Sequence, residues 1–371
     1  MSTSETAQDN EIDSNASSRP SGMRVFIAIF LLLHIPLFIY PVLRLCHWLE
    51  VDTWLTIAIL VPVASSQVIS RWLLRDARKF LARRLRYLAD FILGLSPIIV
   101  LTLLVFEVLV ASGIVTTKSA GLYTLLVAGG ISMLGVLLAI MPFVRTVSFS
   151  SDSLKSPLRF VQITDVHIGS RSRAFLELVV AKIKVVKPEF VCITGDFIDA
   201  RNVPVSEIAA LKDLGCPVYF SIGNHERYED LDNIIERLRS LDVQVLRTAS
   251  VQHREDVQVI GIDDRDDALQ VERELSKLKL EDDAFGLLMY HRPRGLEAAE
   301  RAGIDLMISG HTHNGQIFPF NLVVNRVFDQ VVGMYQRGKS RLYVSQGTGT
   351  WGPVMRVGTR SEITLFEINP T

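Results

Sequence analysis

Five of the eight histidines in this 371-residue chain lie in an ordered series of short polar motifs. The motifs are Asp165-Val166-His167, Gly195-Asp196, Gly223-Asn224-His225-Glu226, the isolated His291 and Gly310-His311-Thr312-His313. Imidazole nitrogens combined with carboxylate and amide oxygens, and without a thiolate, suit Mn²⁺, Fe or Zn²⁺. These residue types predict a site for divalent metal ions; we favour Mn²⁺ and leave Fe and Zn²⁺ open.

Seven of these side chains are candidate metal ligands, namely Asp165, His167, Asp196, Asn224, His291, His311 and His313. Seven ligands are too many for one tetrahedral ion, whereas a shared Asp196 carboxylate divides them into two sets of four. Two-metal centres stabilise the attacking and leaving oxygens of phosphoryl transfer, with a metal-held hydroxide as nucleophile. His225 is not needed as a ligand and is therefore a candidate proton donor to the leaving group.

The motifs follow short apolar runs that have the composition of β-strands. Such runs end directly before Asp165, Gly195, Gly223, His291 and Gly310. Open α/β sheets bind ligands at the carboxyl ends of their strands. The i, i+2 spacing of Asp165 and His167 predicts that both side chains lie on the same face of a strand end, and His311 and His313 repeat that spacing.

Strand-like and helix-like patterns alternate over the second part of the chain. The predicted strands are 158–164, 190–194, 217–222, 243–247, 257–262, 285–290, 304–308, 341–345 and 362–368, and the predicted helices are 174–187, 205–214, 229–240, 268–279 and 295–302. This alternation predicts an α/β architecture with largely buried sheets. A polar, serine-rich linker is predicted before it, over 148–157.

The first part of the chain carries the apolar excess behind the mean hydropathy of +0.28. Residues 1–22 are polar and predict a disordered tail. Four apolar stretches follow at 25–43, 54–74, 88–112 and 121–144, each near or above the ~20 residues needed to cross the hydrocarbon core of a bilayer. We therefore expect a transmembrane module of about four helices over 23–145 and a catalytic domain over 146–371.

Charge in the loops predicts the orientation of these helices. The segment 71–86 contains one acid, Asp76, and seven basic residues, namely Arg71, Arg75, Arg78, Lys79, Arg83, Arg84 and Arg86. The positive-inside rule puts this segment in the cytoplasm. With four crossings, we expect an integral membrane protein of the bacterial inner-membrane type with its catalytic domain on the cytoplasmic side.

Composition excludes several other classes of protein. A formal net charge of −1 does not indicate the positively charged surface that binding of a nucleic acid partner requires. The three cysteines are scattered and form neither a disulfide framework nor a CxxC metal pair. The sequence leaves the oligomeric state open.

The ordered motifs resemble those of the calcineurin-like metallophosphoesterase superfamily, over roughly residues 158–368. The segments 310–316 and 347–353 are similar to its bacterial membrane-associated phosphodiesterase branch. This resemblance implies a four-layer α/β/β/α sandwich with a dinuclear metal site at the sheet ends. It also implies that Glu226 orients His225, the general acid or transition-state donor.

The resemblance also implies how the ligands divide between the two metals. One metal would take Asp165, His167, Asp196 and His313, and the other would take Asp196, Asn224, His291 and His311. The function expected is that of a membrane-anchored phosphohydrolase, acting on phosphodiesters rather than monoesters and on lipid-linked or nucleotide-linked substrates. The alternatives are a non-catalytic metal-binding scaffold and the output domain of a membrane sensor.

Three polar groups outside the motifs have open roles. Asp199 is a candidate to orient a ligand or to cap a turn. Arg292 and Arg294 are candidates for contact with substrate phosphate or for the surface. The acidic run from Asp263 to Asp267 predicts a solvated turn and not a third metal site.

Overall fold

The computed structural model describes residues 32–74 and 80–371. The predicted disordered tail over 1–22, the beginning of the first apolar stretch, and Arg75, Asp76, Arg78 and Lys79 of the basic segment lie outside the described residues.

The amino-terminal part is a set of apolar helices. A π-helical turn, Ile35–Ile39, leads into α1 (Tyr40–Trp48), which is followed by α2 (Thr53–Val68) with its π-helical end Ile69–Leu73, α3 (Phe80–Ala111) and α4 (Thr117–Ile140). Within the described residues, three segments are long and apolar enough to cross a membrane: Thr53–Arg71, Leu81–Ala111 and Thr117–Ile140. The apolar helix Leu32–Trp48 is shorter than these three.

Large apolar side chains cover the outer surface of these helices. The exposed fractions of Val61, Val108 and Leu126 are 58%, 67% and 70%. Apolar patches of this extent are rare on soluble monomers and mark contact with a membrane or another protein. Together with the lengths of the helices, these surfaces indicate that the protein associates with a membrane.

The remainder of the described chain forms two six-stranded sheets. The first has the strand order β1-β12-β2-β3-β4-β5, and the second has the order β10-β11-β9-β8-β7-β6. The strands are β1 (Phe143–Ser151), β2 (Leu158–Ile163), β3 (Phe190–Thr194), β4 (Val218–Ser221), β5 (Gln244–Val245), β6 (Ala249–Arg254), β7 (Val257–Gly261), β8 (Phe285–Met289), β9 (Leu306–Ser309), β10 (Gly333–Arg337), β11 (Ser340–Val344) and β12 (Glu362–Pro370). Parallel pairing of β2 with β3 and β3 with β4, and of β7 with β8 and β8 with β9, brings their carboxyl ends to common edges.

Helices connect and flank the strands of both sheets. They are α5 (Arg173–Val186), α6 (Val205–Ile208), α7 (Asn224–Tyr228), α8 (Leu231–Arg239), α9 (Gln270–Leu275), α10 (Leu296–Arg301) and α11 (Phe320–Val327). Between the sheets, Phe160 and Phe190 stack with ring centroids 5.0 Å apart in a core that also contains Phe285. Separate cores join α5 and α8 to the first sheet and α9 and α10 to the second. The result is the mixed α/β fold with two packed sheets that the sequence predicts.

The structure differs from the sequence prediction at the junction of the two parts. The fourth apolar helix ends at Ile140, and residues 148–151 of the predicted linker belong to strand β1, which pairs in parallel with β12 from Phe143 to Ser151. Val147 and Phe149 pack toward the core between the sheets, whereas Ser148 and Ser150 are exposed. The serines therefore occupy the solvent face of an edge strand rather than a flexible connection.

The spanning helices also pack directly against the catalytic domain. Ile98 of α3 and Ala128 of α4 form one buried cluster with Ile317 and Met355. Ala128 lies twelve residues before Ile140, or about 18 Å along the helix axis, so this contact runs along the side of α4 rather than at its end. The backbone N–H of Arg356 donates to the Gly135 carbonyl at 2.9 Å.

Candidate metal centre

The carboxyl ends of five strands deliver the sequence-predicted side chains to one buried cluster. Asp165, Asp196 and Asn224 follow β2, β3 and β4 of the first sheet, while His291 and His311 follow β8 and β9 of the second. His167, His225 and His313 join the same cluster. Seven of the eight predicted site residues thus meet at the carboxyl ends of the strands, and Asn224 adjoins them in the chain, next to His225.

One group of potential ligands consists of Asp165, His167 and His313. The Nε2 atoms of His167 and His313 are 3.1 Å apart, and His313 Nε2 is 3.3 Å from Asp165 Oδ1. Separations of about 3 Å are those between neighbouring ligands of one ion with metal–nitrogen bonds of about 2.0–2.1 Å. These three side chains therefore have the spacing of a coordination shell.

A second group consists of Asp196, His291 and His311. His291 Nε2 lies 3.1 Å from Asp196 Oδ2 and 3.2 Å from His311 Nδ1. His291 Nδ1 is 2.9 Å from the Thr194 carbonyl oxygen and donates its proton to it, so Nε2 carries the lone pair. The backbone thus fixes the tautomer in which His291 can bind a metal.

Several polar atoms at this site are buried and lack a hydrogen-bond partner among the described residues. They include Asn224 Oδ1 and His313 Nδ1. A buried amide oxygen without a partner is costly, and native proteins rarely leave one unexplained. A cation beside Asn224 would satisfy this oxygen, so the donor set fits a pair of divalent ions.

The ligand loops have an unusual backbone conformation. Five of the seven predicted ligands have a positive φ, with Asp165 at 54°, His167 at 57°, Asp196 at 50°, His311 at 71° and His313 at 49°. Residues other than glycine rarely adopt this region, and such strain concentrates at functional sites. Asp165 and His167 converge because of this local turn, and not through strand alternation as the sequence predicts.

Two glycines allow the ligand loops to approach each other closely. A Cβ atom on Gly223 would overlap Asp196 Oδ1, and one on Gly310 would overlap Asp165 Oδ2. Neither position has room for a side chain unless a ligand carboxylate moves. The glycines are therefore required by the geometry of the site.

Glu226 has a different role from the one implied by the resemblance. Its buried carboxylate accepts backbone N–H bonds from Phe197 and Ile198 at Oε1, and from Asp196 and Gly223 at Oε2, at 2.7–3.0 Å. These four bonds tie the loop after β3 to the loop after β4. Glu226 positions the backbone that carries Asp196 and does not hold the His225 ring.

Asp199 serves both of the roles left open by the sequence. It accepts from the backbone N–H of Ser170 at 2.9 Å and from its hydroxyl at 2.5 Å, which caps a turn. Its Oδ2 atom also lies 3.4 Å from His167 Nδ1. Asp199 therefore connects the 167–171 turn to a candidate ligand.

His225 lies at the mouth of the cluster. Its backbone N–H donates to Asp196 Oδ1 at 2.9 Å, and its ring Nε2 is 4.0 Å from Asp196 Oδ2. The rings of Tyr228 and Trp351 flank it, with centroids 6.1 and 6.2 Å away, and both are more than half exposed. This imidazole is thus held beside the candidate ligands while its outer side faces two aromatic rings.

Arg356 is a buried residue beside the site that the sequence did not single out. Its side chain is fully buried and donates to the carbonyls of Gln346, Gly349 and His313 at 2.7, 2.8 and 3.3 Å. Its backbone N–H meets Gly135 of α4, so one residue joins a candidate metal loop to a spanning helix. No local motif marks it, because a lone arginine in a glycine-rich segment has no signature.

Electrostatics favour the ionised form of the carboxylates. Burial raises the pKa of Asp165, but the His313 imidazole outweighs burial and holds the pKa well below its usual range. Burial lowers the pKa of His291, but Asp196 outweighs burial and raises it to about 10. Burial and the charge of His291 lower the pKa of His311 to about 3. Asp165 is therefore ionised and His311 neutral, which are the forms that bind metals, whereas His291 would have to release its Nε2 proton when an ion binds.

The prediction of a solvated acidic turn was wrong for two of its residues. Asp263 and Asp264 are buried. Asp264 Oδ1 accepts from Arg292 Nε at 2.8 Å, and Asp263 accepts from Arg247 Nε at 2.7 Å. Asp264 thus neutralises the buried Arg292 and holds it on this side of the site, whereas Asp263 pairs with the partly exposed Arg247.

Comparison with known proteins agrees with this geometry. Residues 158–315 match the family model described as calcineurin-like phosphoesterase. The chain is 32% identical over 240 residues to an uncharacterized metallophosphoesterase of Campylobacter jejuni, covering 61% of this chain and 63% of that protein. It is 33% identical over 265 residues to a bovine transmembrane protein with metallophosphoesterase domain, covering 63% of this chain and 59% of the relative.

A Helicobacter pylori protein, also named an uncharacterized metallophosphoesterase, is 30% identical over 241 residues, with coverage of 62% of this chain and 64% of the relative. The chain thus spans about three fifths of the length of the curated relatives it matches. Residues 158–315 belong to the calcineurin-like metallophosphoesterase family, and in this chain they follow a set of membrane-type helices.

Proposed function

We propose that this protein is a membrane-anchored phosphodiesterase whose reaction depends on two divalent metal ions. The observation that carries the proposal is the pair of ligand groups, Asp165-His167-His313 and Asp196-His291-His311, with ligand atoms about 3 Å apart. Family membership supports metal-dependent hydrolysis of a phosphoester. Preference for a diester and for Mn²⁺ is our inference from the resemblance and from the donor set.

Asp196 is the residue proposed to be shared between the two ions, and Asn224 is proposed to complete the second set. When bound, the two ions would activate a water molecule and neutralise the charge on the phosphoryl oxygens. The chain supplies fixed ligand tautomers, a buried carboxylate cluster and loops held by Glu226 and Arg356. Such preorganisation keeps ligands in place without reorganisation during the reaction.

His225 is proposed to donate a proton or a hydrogen bond to the leaving oxygen. Burial, together with the charge of His167, lowers the pKa of His225 below its ordinary value. Its ring lies within 4.8 Å of ligand atoms of His167 and Asp199, and its other neighbours are the rings of Tyr228 and Trp351, between which a substrate would approach. General acid catalysis by a positioned side chain contributes about 10²–10⁴-fold in rate.

A lipid-linked substrate is supported by the surroundings of the site. Helix α11 begins three residues after Ile317, which packs against the spanning helices, and none of its residues is buried. Leu322, Val323 and Val327 are 54%, 59% and 64% exposed. Phe328, directly after α11, packs against His311 with ring centroids 5.5 Å apart. An apolar helix thus lies beside both the spanning helices and the candidate metal centre.

A cytoplasmic position of the catalytic domain is also proposed. Arg71 of the basic segment pairs with the buried Asp90 at 3.0 Å and approaches Gly352 of the catalytic domain. The basic segment and the catalytic domain therefore lie at the same end of the helices. The positive-inside rule assigns that end to the cytoplasm.

The test uses the full-length protein in detergent, stripped of metal by a chelator and reloaded with Mn²⁺. Hydrolysis of bis-p-nitrophenyl phosphate is compared with that of p-nitrophenyl phosphate, and bound metal is counted by mass spectrometry. We expect metal-dependent turnover of the diester. Asp196→Asn should lose metal and activity, whereas His225→Ala should keep its metal and lose about 10²-fold or more in rate.

Asp232→Asn is the matched control, since it makes the same chemical change on the exposed face of α8. A folded, metal-loaded protein that hydrolyses neither ester nor any membrane phosphodiester would favour the scaffold alternative. Faster turnover of the monoester would overturn the preference for diesters.

A further inference from the structure

A cavity of about 510 Å³ lies between the spanning helices and the catalytic domain. Tyr87 and Phe91 of α3 and Val136 and Ile140 of α4 form one wall. The other wall is formed by the segment from Ser170 to Leu178, and no acidic residue lines the cavity within the described part of the chain. The cavity is thus mainly apolar and open beside helices of membrane-spanning length.

One charged group, Arg171, lines this cavity. The residue is only 5% exposed, and its guanidinium lies over the Phe175 ring at 3.8 Å. Its Nη2 atom donates to the Ala139 carbonyl at 3.3 Å, and its Nε is buried without a hydrogen-bond partner. Among the described residues, no carboxylate forms an ion pair with it.

A buried cation without a counter-ion is unfavourable, and proteins normally pair such a charge. Burial lowers the pKa of Arg171 to about 10, which reflects that cost. An anionic oxygen in the cavity would supply the missing negative charge beside the guanidinium. Arginine suits phosphate in particular, because its planar guanidinium donates two parallel N–H bonds.

We propose that this cavity binds an anionic phospholipid, with the headgroup phosphate against Arg171 and an acyl chain along the apolar wall of α3 and α4. The apolar lining and the position next to the end of α4 favour a lipid over free phosphate. Arg171 contacts Ala139, one residue before that end, where headgroups of a surrounding bilayer would lie. No bond is broken at this site, and the proposal does not depend on catalysis at the metal centre.

The site is connected to the metal centre through the backbone. The N–H of Arg171 donates to the His167 carbonyl at 2.7 Å, and Ser170 donates to Asp199 beside the His167 ring. A lipid held by Arg171 would therefore stabilise the turn that carries His167.

The experiment measures which lipid the purified full-length protein retains. Protein in detergent is mixed with equal amounts of phosphatidylglycerol and of diacylglycerol, which has the same acyl chains but no phosphate, and bound lipid is counted by native mass spectrometry. We expect about tenfold preference for phosphatidylglycerol, the ratio expected from a single charge-assisted pairing. Arg171→Gln should abolish this preference. Arg173→Gln, two residues away on an exposed ion pair with Glu177, should retain it.

A second variant tests the proposal independently, in case Arg171→Gln does not fold. Ala174→Phe fills the cavity from its exposed rim and leaves Arg171 in place, so it should also release the lipid. The proposal is overturned if either folded variant keeps the wild-type preference. It is also overturned if inorganic phosphate raises the melting temperature in an Arg171-dependent way while phosphatidylglycerol does not, since that would identify a site for free phosphate.

Discussion

At the scale of single residues, buried polar groups at this centre have two separate tasks. Some present an atom that could bind a metal and that has no hydrogen-bond partner among the described residues, as Asn224 Oδ1 does. Others accept hydrogen bonds from the backbone N–H groups of the surrounding loops, as Glu226 does from four of them. Sequence reasoning found the first group because residue types identify ligands. It assigned Glu226 incorrectly, because a carboxylate next to a histidine has the same sequence signature in either role.

Replacing Glu226 with glutamine tests its positioning role. Each carboxylate oxygen accepts two N–H bonds, so an amide group in either orientation would direct its NH₂ at two backbone donors. Leaving two buried donors unsatisfied costs about 3 kcal/mol or more in the free energy of unfolding. We expect a lower melting temperature and a loss of bound metal.

The matched control is Glu236→Gln on an exposed surface of α8, which should change neither quantity. An unchanged melting temperature in Glu226→Gln would mean that these four bonds do not stabilise the loops.

At the scale of elements, the sequence predicted the interior of the sheets better than their edges. All nine predicted strands are present, whereas β1, β6 and β10 were not predicted, and each of these three lies at the edge of a sheet. Edge strands alternate buried and exposed positions, so they lack the continuous apolar runs by which central strands are identified. The same limit explains why the serines of β1 were interpreted as a linker.

The ligand turns show a second limit of the sequence. Spacing predicted that the motifs meet, because parallel strands end at the same edge. The positive φ values of Asp165, His167 and Asp196 could not be read from the pattern, since each depends on contacts between loops distant in sequence. One such contact is the Glu226 carboxylate.

Helix α11 yields a prediction about contact with the bilayer. A dye sensitive to polarity, attached at Val323→Cys, should shift to shorter emission wavelength when the protein enters vesicles, because this exposed apolar position would contact lipid. Brominated lipids should quench it. The protein would carry Cys216→Ser to remove the half-buried native thiol.

The same dye at Lys339→Cys, an exposed position in the turn between β10 and β11, should remain in water. Equal emission from the two positions in vesicles would show that α11 stays clear of the membrane, and it would remove one support for a lipid-linked substrate.

At the scale of the whole molecule, two glycines bring the helices and the catalytic domain into contact. A Cβ atom on Gly135 would lie 2.8 Å from the Met355 side chain and 3.1 Å from the Arg356 carbonyl oxygen. Gly94 of α3 similarly faces Pro353 at 3.0 Å. The helices therefore pack closely against the 353–357 segment, through a small apolar cluster that is separate from the cores of the two sheets.

Gly135→Leu should separate these two parts. Overpacking of this kind costs about 1–3 kcal/mol, so we expect a lower melting temperature in detergent and faster proteolysis near residue 141. Metal-dependent activity should fall as well, because Arg356 links Gly135 to the His313 loop.

Gly130→Leu is the control on the same helix, since nothing lies within 4 Å of its added Cβ. If both substitutions had equal effects, the contact between α4 and the 353–357 segment would not contribute to stability.

The order of strands in the first sheet also constrains how the protein is made. Strands β1 and β2 follow each other in sequence but are not neighbours, because β12 lies between them, parallel to β1 and antiparallel to β2. β12 is the last of the twelve strands to leave the ribosome, and the apolar helices are synthesised before any strand. The first sheet therefore stays divided until β12 has been synthesised, and the apolar helices are available to insert into a membrane long before that sheet can close.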